Sequence, residues 1–517
     1  MPARPPTSEQ RAAVDAFRAG WHLVLQAGAG TGKTSTLTML GASTRRRGRY
    51  LAFNKAIATE ARRLFGPNVA CSTAHSLAFK AIGHRYHERL NHPRMATAKL
   101  AQSLGITMEA TIGERKLTRA ALCYAAQRTV ILYCYSADET LARQHVPWLK
   151  GIGEEHLHDQ LTELVLPYAQ RMWADLQNPE RGRVPFKHDH YLKMWALTRP
   201  RLHGDFFLLD EAQDTNPVVE QVFLAQGEHA QLVMVGDSAQ AIYGWRGARD
   251  VMTGFTGRRL ALSHSFRFGE GVAAEANRWL AIAGAPIRLT CSPVVASRVG
   301  TVEQPDAILC RTNGGAMAEI LTLLGKGRRV ALAGRAAVLQ GLAEAARDLQ
   351  AGRRTVHPEL LLFATWGEVQ DYAEWDPDGR DLLSFVEVID EHGADVVLHT
   401  LSRLAAETHA DVVVSTAHAA KGREWSSVRI ADDFPEPVDP ENTDLNGEPI
   451  PGKIEPGEAR LAYVAVTRAR HRLDLGGLAW INQHPDGNPG SEQRHGRAAG
   501  RHVGNVLAAR ESHDARG

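Results

Sequence analysis

The sequence predicts an α/β protein with parallel β-sheets. In residues 1–82, short apolar runs alternate with amphipathic helical patterns, an order typical of parallel strands joined by helices. A glycine-rich stretch, QAGAGTGKTS, occupies residues 26–35 between an apolar run and a helical pattern. A second series of apolar runs lies within a region that begins near residue 258. We therefore expect two α/β regions.

Length and composition agree with this expectation. The chain of 517 residues is too long for one ordinary core and suggests about three or four domains. With 44% hydrophobic and 23% charged residues, it has the composition of a soluble globular protein. It contains no apolar run long enough to span a bilayer, and MPARPPTSEQ lacks a secretory apolar segment. The five cysteines form no C-x-x-C pair, which argues against zinc, iron–sulfur or disulfide sites. A cytoplasmic protein is expected.

The first α/β region can be divided into elements. We expect strands at 21–27, 49–54 and 68–76 and helices at 33–43 and 55–65. Residues 83–184 carry helical patterns, including 114–135 and 155–176 with no strand between them, and predict a helical insertion. The sheet resumes within 205–214 and 231–240.

The second region is divided in the same way. Its strands are expected within 306–312, 328–334, 411–418 and 427–434. Residues 337–400 are mostly helical in pattern, whereas 435–457 are rich in Pro, Gly, Asp and Glu and predict a loop. The tail at 482–517 has little periodicity and is expected to be disordered.

The glycine-rich stretch predicts a phosphate-binding loop. Its glycines allow backbone N–H groups to turn toward phosphate oxygens, and the following helix adds its positive N-terminal end. Lys33 would reach the β- and γ-phosphates, and the Thr34 hydroxyl would bind Mg²⁺. Ala27 stands where the usual pattern has Gly, and its small side chain should be tolerated. The predicted ATP-binding loop consists of Ala27, Gly28, Ala29, Gly30, Thr31, Gly32, Lys33, Thr34 and Ser35.

An acidic partner for this loop follows a later strand. In FFLLDEAQD, four apolar residues end at Asp210 and Glu211. Asp210 is a candidate Mg²⁺ ligand, through water, and Glu211 is a candidate base for the attacking water. A strand that merely ends in an acidic turn is common, but the preceding phosphate loop favours the catalytic interpretation.

Taken in order, the motifs resemble those of superfamily 1A DNA helicases, the group of UvrD, Rep and PcrA. AGAGTGKT, LLDEAQD and VGDSAQAIYGWRGA are similar to motifs I, II and III, and STAHAAKGREW and EARLAYVAVTRAR to motifs V and VI. Residues 52–86 and 187–197 look closest to the helicase region of F-box DNA helicases and their bacterial or phage relatives. We expect no F-box. The resemblance implies two RecA-like P-loop NTPase domains with helical insertions.

The resemblance also implies roles around the nucleotide. Gln10 stands where the family reads adenine, although Thr7-x-x-Gln10 is also a capping box and both interpretations can hold. Gln240 matches the γ-phosphate sensor, and Glu424 matches an acid near the ribose. Arg267 and Arg468 match the motif IV and motif VI arginines, which reach the γ-phosphate. The neighbouring Arg470 is interpreted as a surface charge.

A nucleic-acid track is implied as well. An aromatic–x–aromatic–Arg run after the phosphate sensor suits base stacking, which contributes roughly 1–3 kcal/mol per base. Because the net charge is only +2, contacts with DNA must be local. The candidate DNA-binding residues are Phe53, Asn54, His75, Tyr243, Trp245, Arg246 and His418.

The resulting domain scheme alternates motor segments and helical insertions. It places the first motor domain at 1–82 and 185–257, interrupted by a helical accessory subdomain at 83–184. The second motor domain is expected at 258–336 and 401–481, interrupted by a reduced accessory subdomain at 337–400. A disordered tail is expected at 482–517. Since a large autoinhibitory subdomain would not fit into 337–400, we expect the monomer to be functional.

The favoured interpretation is a Mg²⁺- and ATP-dependent helicase that moves 3′→5′ on single-stranded DNA and unwinds duplexes in repair, recombination or replication. Its expected partners are single-stranded DNA and single-strand/duplex junctions, with no membrane. Alternatively, the enzyme translocates and mainly displaces bound proteins. A non-catalytic DNA-binding scaffold is less favoured because the motif residues are intact, and a nuclease domain would not fit after residue 470. The Ala-, Arg- and Gly-rich composition hints at a bacterial or phage source and association with the nucleoid.

Overall fold

The structure is a computed structural model that describes residues 5–90, 95–242, 250–334, 336–375, 377–443 and 449–487. The strands in chain order are β1 (Leu23–Ala27), β2 (Gly48–Ala52), β3 (Val69–Thr73), β4 (Ala110–Ile112), β5 (Arg115–Leu117), β6 (Phe206–Leu209), β7 (Gln231–Gly236), β8 (Arg258–Leu262), β9 (His264–Ser265), β10 (Thr290–Cys291), β11 (Arg298–Val299), β12 (Ala307–Cys310), β13 (Val330–Leu332), β14 (Val412–Thr416), β15 (Trp425–Ile430), β16 (Val438–Thr443), β17 (Pro449–Pro451) and β18 (Ala469–Asp474).

The α-helices lie between these strands. In chain order they are α1 (Ser8–Arg18), α2 (Lys33–Ala42), α3 (Lys55–Leu64), α4 (Ala74–Ala81), α5 (His87–Leu90), α6 (Thr97–Ser103), α7 (Arg119–Tyr135), α8 (Glu155–Leu176), α9 (His188–Leu197), α10 (Pro217–Leu224), α11 (Glu270–Ile282), α12 (Asn313–Gly325), α13 (Ala336–Gln350), α14 (Trp366–Trp375), α15 (Leu383–His392), α16 (Ala394–Ser402) and α17 (Pro456–Val466). None of these described helices combines the length and apolar character that a bilayer crossing requires.

The first sheet is parallel, with the order β3-β2-β6-β7-β1-β8. Every residue of its central strands β6 and β7 is buried, as expected for a parallel sheet covered on both faces. One face packs against α1, α2 and α3 through residues such as Phe17 and Leu37. The other face buries Phe207 and Phe223. This sheet confirms the expected α/β fold of the N-terminal region.

The second sheet is also parallel, with the order β11-β18-β15-β12-β14-β13. Its two faces bury separate apolar clusters. One cluster includes Trp279 on α11 and Val464 on α17, and the other includes Ile320 on α12 and Leu342 on α13. The two sheets therefore have cores of their own, and the loops at their strand ends can meet between them.

The helical part between β3 and β6 forms a third core. Helices α4 to α9 share one apolar cluster, which includes Leu122 on α7 and Leu161 on α8. Leu361 and Leu362, which lie between α13 and α14, join the same cluster. The segment between α13 and α14 is therefore anchored to the first helical part by apolar burial.

Two short elements in the helical part differ from the sequence prediction. Residues 115–117, expected to begin a helix at 114, form strand β5, and helix α7 begins only at Arg119. Thr118 explains this boundary because its side chain accepts a hydrogen bond from the Ala121 amide and caps the helix. Gly113 has a φ of 55° and allows the tight turn between β4 and β5.

Further corrections concern strand assignment. Residues 258–262, placed by sequence in the second region, form β8 and pair with β1 in the first sheet. The strand expected at 68–76 ends at Thr73, whose side chain caps α4, so His75 is helical. The loop expected at 435–457 contains the antiparallel pair β16 and β17. Only the β8 error involves a distant partner, strand β1, whereas the Thr73 cap and the β16–β17 pair depend on residues close in sequence.

The remaining domain boundaries stay predictions. The tail expected to be disordered lies outside the described residues from 488 onward, and 485–487 form a short 3₁₀ turn.

Candidate nucleotide site and nucleic-acid groove

The phosphate loop connects β1 to α2 at the carboxyl end of the first sheet, where ligands of open α/β sheets usually bind. Gly30 and Gly32 have φ angles of 75° and 77°, which only glycine adopts readily. Ala27 instead ends strand β1 and is fully buried. Its position requires an ordinary strand conformation and a small side chain, so the departure from the usual glycine does not disturb the loop.

Asp210 lies directly after β6 and faces the first residues of α2. The Thr34 hydroxyl donates to Asp210 Oδ2 at 3.1 Å, and the Tyr50 hydroxyl donates to the same oxygen at 2.7 Å. Thr34 and Asp210 thus present hard oxygen donors close together, as Mg²⁺ requires, so this pair could hold the metal. Tyr50 was missed by sequence because it lies within the apolar pattern of β2.

Lys33 and Glu211 form an ion pair in the same site. Lys33 Nζ lies 3.1 Å from Glu211 Oε2, and Glu211 has an unusual φ of 52°. Burial opposes the charge on Lys33, but the carboxylates of Glu211, Asp237 and Asp210 outweigh burial and raise its pKa. Burial opposes the charge on Glu211 as well, but Lys33 and the Gln213 amide lower its pKa. Burial and the adjacent Glu211 charge raise the pKa of Asp210.

Gln240 belongs to a buried polar network. Its Nε2 donates to Asp237 Oδ2 at 2.7 Å. The backbone N–H of Asp237 donates to Gln213 Oε1 at 2.9 Å, and Gln213 Nε2 donates to Glu211 Oε2 at 2.7 Å. The predicted sensor and the predicted base are therefore linked through Gln213 and Asp237.

Arg468 follows helix α17 of the second sheet and is almost completely buried, at 1% exposure. Its guanidinium donates to the carbonyl oxygens of Val464 and Arg423 at 2.9 and 3.1 Å and to Thr467 Oγ1 at 3.0 Å. Burial, with a smaller contribution from Arg267, lowers the pKa of Arg468 to about 9. Within the described ranges no carboxylate oxygen lies within 4.0 Å of this guanidinium. Such a buried charge favours an anionic ligand.

Arg267 and Glu424 lie together beside Arg468. Arg267 Nε is 2.7 Å from Glu424 Oε2, and Arg267 Nη1 donates to the Thr467 carbonyl oxygen at 3.2 Å. Arg470 Nη1 is 3.7 Å from the other oxygen of Glu424, and half of the Arg470 side chain is exposed. Here Glu424 contacts the two arginines, and its predicted place near a ribose stays a prediction.

Gln10 takes part in the capping box that the sequence predicted. Its backbone N–H donates to the Thr7 hydroxyl, and its Oε1 accepts from the Thr7 N–H, both at 3.1 Å. Its Nε2 also donates to Thr36 Oγ1 at 3.2 Å. A side chain added at Gly32 would lie 3.4 Å from Gln10 Nε2 and 3.6 Å from the Phe266 ring. Gln10 and Phe266 therefore flank the phosphate loop, where a nucleotide base could lie.

Two side chains of the second region reach the loops of the first sheet. The Tyr463 hydroxyl accepts from the Ala29 N–H and donates to Asp237 Oδ2, both at 2.9 Å. Lys421 Nζ lies 2.6 Å from Asp214 Oδ1 and also donates to the Gln240 carbonyl oxygen. The nucleotide site is therefore assembled from both sheets. Neither residue was singled out in the sequence, since a tyrosine inside an apolar helix and a lysine in a loop carry no local signal.

A groove of about 1430 Å³ lies between the first helical part and the second region. Among the residues that line it are Lys150 and Lys187 on one side and Arg311 and His418 on the other. His418, predicted to bind DNA, therefore lines a groove in which basic groups stand beside the carboxylates of Asp381 and Glu458, both paired with Arg311. Asp189 also lines the groove, and His75 Nε2 lies 3.0 Å from its Oδ1, so His75 is held beside the groove.

Two further predicted DNA-binding residues, Phe53 and Asn54, follow strand β2. Phe53 comes directly after β2 and is 51% exposed, as a stacking residue must be. Asn54 caps helix α3, since its Oδ1 accepts from the Ile57 N–H at 2.9 Å. Tyr243, Trp245 and Arg246 lie outside the described residues.

These observations define a class of protein. Two parallel α/β units face each other, one with a phosphate loop and acidic residues, the other with a buried arginine, as in proteins with two RecA-like P-loop domains. Two family models match the chain: "UvrD/REP helicase N-terminal domain" over residues 7–253 and "UvrD-like helicase C-terminal domain" over residues 362–476. The chain belongs to the UvrD-like helicase family.

Named relatives agree with this assignment. The chain is 30% identical over 514 residues to F-box DNA helicase protein 1 of Schizosaccharomyces pombe, covering 91% of this chain and 57% of the relative. It is 28% identical over 508 residues to F-box DNA helicase 1 of Gallus gallus, covering 90% and 48% respectively. DNA helicase II of Haemophilus influenzae matches at 30% over 95 residues, 17% of this chain and 13% of that relative.

The matches cover this chain almost completely but only part of its F-box relatives. The chain spans about half the length of the two F-box relatives. Both come from eukaryotes, so they do not support the bacterial or phage source that the composition suggested.

Proposed function

We propose that this chain is an ATP-dependent DNA helicase that moves 3′→5′ along single-stranded DNA. The observation that carries the proposal is the composite nucleotide site. Lys33, Asp210 and Glu211 belong to the first unit, and Arg468 of the second is close enough for the Asp237 and Glu211 carboxylates to favour its charge. A ligand held by both halves couples its own hydrolysis to their relative motion.

Phosphate binding is assigned to the loop and to Lys33. Phosphate oxygens accept from the backbone N–H groups of the loop and from the α2 N-terminus. Thr34 and Asp210 would hold Mg²⁺, which would supply positive charge against the phosphate oxygens. Gln10 and Phe266 contact the base on the far side of Gly32.

Water activation is assigned to Glu211. Lys33 now pairs with Glu211, and a phosphate that binds Lys33 competes for the ammonium group and frees the carboxylate. Once Lys33 is engaged by phosphate, the Gln213 amide and the Lys421 ammonium still favour the ionised form of Glu211, which can orient the water and accept its proton. Gln213 keeps the carboxylate in place through the 2.7 Å hydrogen bond to Oε2.

Charge stabilisation is assigned to the second region. Arg468 and Arg267 approach the γ-phosphate from across the cleft, and Gln240 senses it from the first sheet. An arginine in this role is worth about 10³–10⁵ in rate. Release of phosphate removes the group that both halves hold, and the halves separate.

Binding of single-stranded DNA is assigned to the exposed strand ends and to the groove. Phe53, His418 and Lys187, together with Tyr243 and Trp245, contact single-stranded DNA, the aromatic rings by stacking and the basic groups through phosphate. The 3′→5′ direction rests on the family resemblance alone. Residues 83–184 and 337–400 serve as accessory subdomains, and the monomer is sufficient for movement.

The test is ATP hydrolysis with and without single-stranded DNA, for the wild-type protein and for Lys33→Ala. We expect DNA to stimulate the wild type strongly and Lys33→Ala to lose turnover, because no other described cation lies on the phosphate loop. A wild-type rate of ATP hydrolysis that does not change when single-stranded DNA is added would contradict the proposal. A strand-displacement assay beside a protein-displacement assay then separates unwinding from removal of bound proteins.

A further inference from the structure

Tyr463 connects the two sheets at the centre of the nucleotide site. It lies on α17, is fully buried, and its ring belongs to the apolar core of the second sheet. Its hydroxyl leaves that core and meets two loops of the first sheet. It accepts from the Ala29 N–H, within the phosphate loop, and donates to Asp237 Oδ2, both at 2.9 Å.

Asp237 gives this contact its significance. The oxygen that accepts from Tyr463 also accepts from Gln240 Nε2 at 2.7 Å, and the second oxygen accepts from the Ala239 N–H at 3.1 Å. The Asp237 side chain is completely buried. A buried carboxylate that loses a donor is left with an unsatisfied charge, so its remaining partners must shift. The direction of the Gln240 amide therefore depends on the Tyr463 hydroxyl.

The two bonds cross from one unit to the other. Ala29 and Asp237 belong to loops after β1 and β7, whereas Tyr463 is held by the second sheet. Separation of the units would break both bonds at once and remove a donor from Asp237. Arg468 follows the end of the same helix and donates to the Val464 carbonyl oxygen, so movement of α17 displaces the arginine and the hydroxyl together.

We propose that the Tyr463 hydroxyl is a positioning group that aligns Gln240 with the phosphate loop only while the two units are closed. This inference rests on the proposed function and extends it to a residue that touches neither nucleotide nor DNA. Hydrolysis is thereby confined to the closed arrangement, because Gln240 and Arg468 come into place through the same helix.

A matched control separates positioning from simple stability. Tyr86 is also buried, and its hydroxyl donates to the Gln177 carbonyl oxygen at 2.8 Å within the first helical part. Tyr463→Phe and Tyr86→Phe each remove one hydroxyl and keep the aromatic ring. Tyr463→Phe is expected to lower the thermal midpoint more than Tyr86→Phe, since it removes two hydrogen bonds, one of them to a buried carboxylate, whereas Tyr86→Phe removes one to a carbonyl oxygen.

The experiment measures kcat and KM for ATP, with and without single-stranded DNA, for the wild type and both variants. Tyr463→Phe should lower kcat about tenfold in both conditions, with KM changed less than about threefold, because the lost hydrogen bonds act on hydrolysis rather than on binding. Tyr86→Phe should retain the wild-type kcat.

Two results overturn the inference. The first is a wild-type kcat in Tyr463→Phe. The second is an equal loss of kcat in the two variants that accompanies an equal loss in thermal midpoint. Failure of the proposed function looks different, because then DNA does not stimulate the wild-type protein, whatever the variants do.

Discussion

Two contacts join distant parts of this chain, and they differ in burial. In the nucleotide cleft, Lys421 and Asp214 lie 2.6 Å apart with side chains 8% and 5% exposed. Between the two helical parts, Arg115 and Glu368 lie 2.9 Å apart with side chains 32% and 37% exposed. Both are ion pairs at similar distances, but only the first is removed from water.

The difference in burial changes what each contact can do. Burial lowers the pKa of Lys421 and raises the pKa of Asp214, so each charge depends on the other. Water screens the outer pair, and apolar burial of Leu361 and Leu362 holds the helical parts together instead. Single substitutions in the cleft are therefore expected to have large effects on activity or stability, whereas a single substitution at the outer ion pair is expected to have a small one.

The largest expected effect comes from the buried arginine of the cleft. Arg468→Ala should lower kcat for ATP by about 10³-fold or more, because it removes the charge that faces the γ-phosphate. Steady-state hydrolysis measures this loss. Arg470→Ala is the control, since Arg470 is half exposed and should change kcat less than about threefold. Similar losses in the two variants would argue against a special role for burial.

A smaller effect is expected from the buried ion pair. Lys421→Ala should lower the free energy of unfolding by about 3–5 kcal/mol, because Asp214 would remain buried without its cation. Denaturant unfolding measures the change. The double variant Lys421→Ala/Asp214→Asn should recover part of the loss, since it also removes the carboxylate charge. No recovery in the double variant would show that the cost does not arise from the unpaired charge.

The smallest effect is expected at the outer contact. Arg115→Gln should change the free energy of unfolding by about 1 kcal/mol or less, because the pair is exposed to water. The same denaturant titration applies. A loss as large as that of Lys421→Ala would mean that exposure does not separate the two contacts.

The sequence predicted what is encoded in contiguous stretches. Lys33, Asp210 and Glu211 were identified because a glycine loop and an apolar run ending in acids have local signatures, and the structure brings all three together. Nine of the twelve strands of the two sheets were expected close to their observed positions, whereas β8, β11 and β18 were not predicted as strands. The Thr7–Gln10 capping box was also predicted and is confirmed.

What the sequence missed depends on distant partners. Tyr50 and Tyr463 lie within apolar patterns, and only folding reveals that their hydroxyls reach Asp210 and Asp237. Residues 258–262 were placed in the second region and not predicted as a strand, because their partner β1 lies far earlier in the chain. Pairing and side-chain convergence of this kind leave no trace in local periodicity.

The central claim is that ATP acts by closing one unit on the other. Labels at Glu60→Cys and Lys326→Cys, on exposed surfaces of the first and second units, would report their separation in a Cys291→Ser background, since the other native cysteines are buried. With Mg²⁺ and a non-hydrolysable ATP analogue, fluorescence transfer should show one short distance. With ADP it should show a longer, broader distribution. The same distribution in both states would contradict the account.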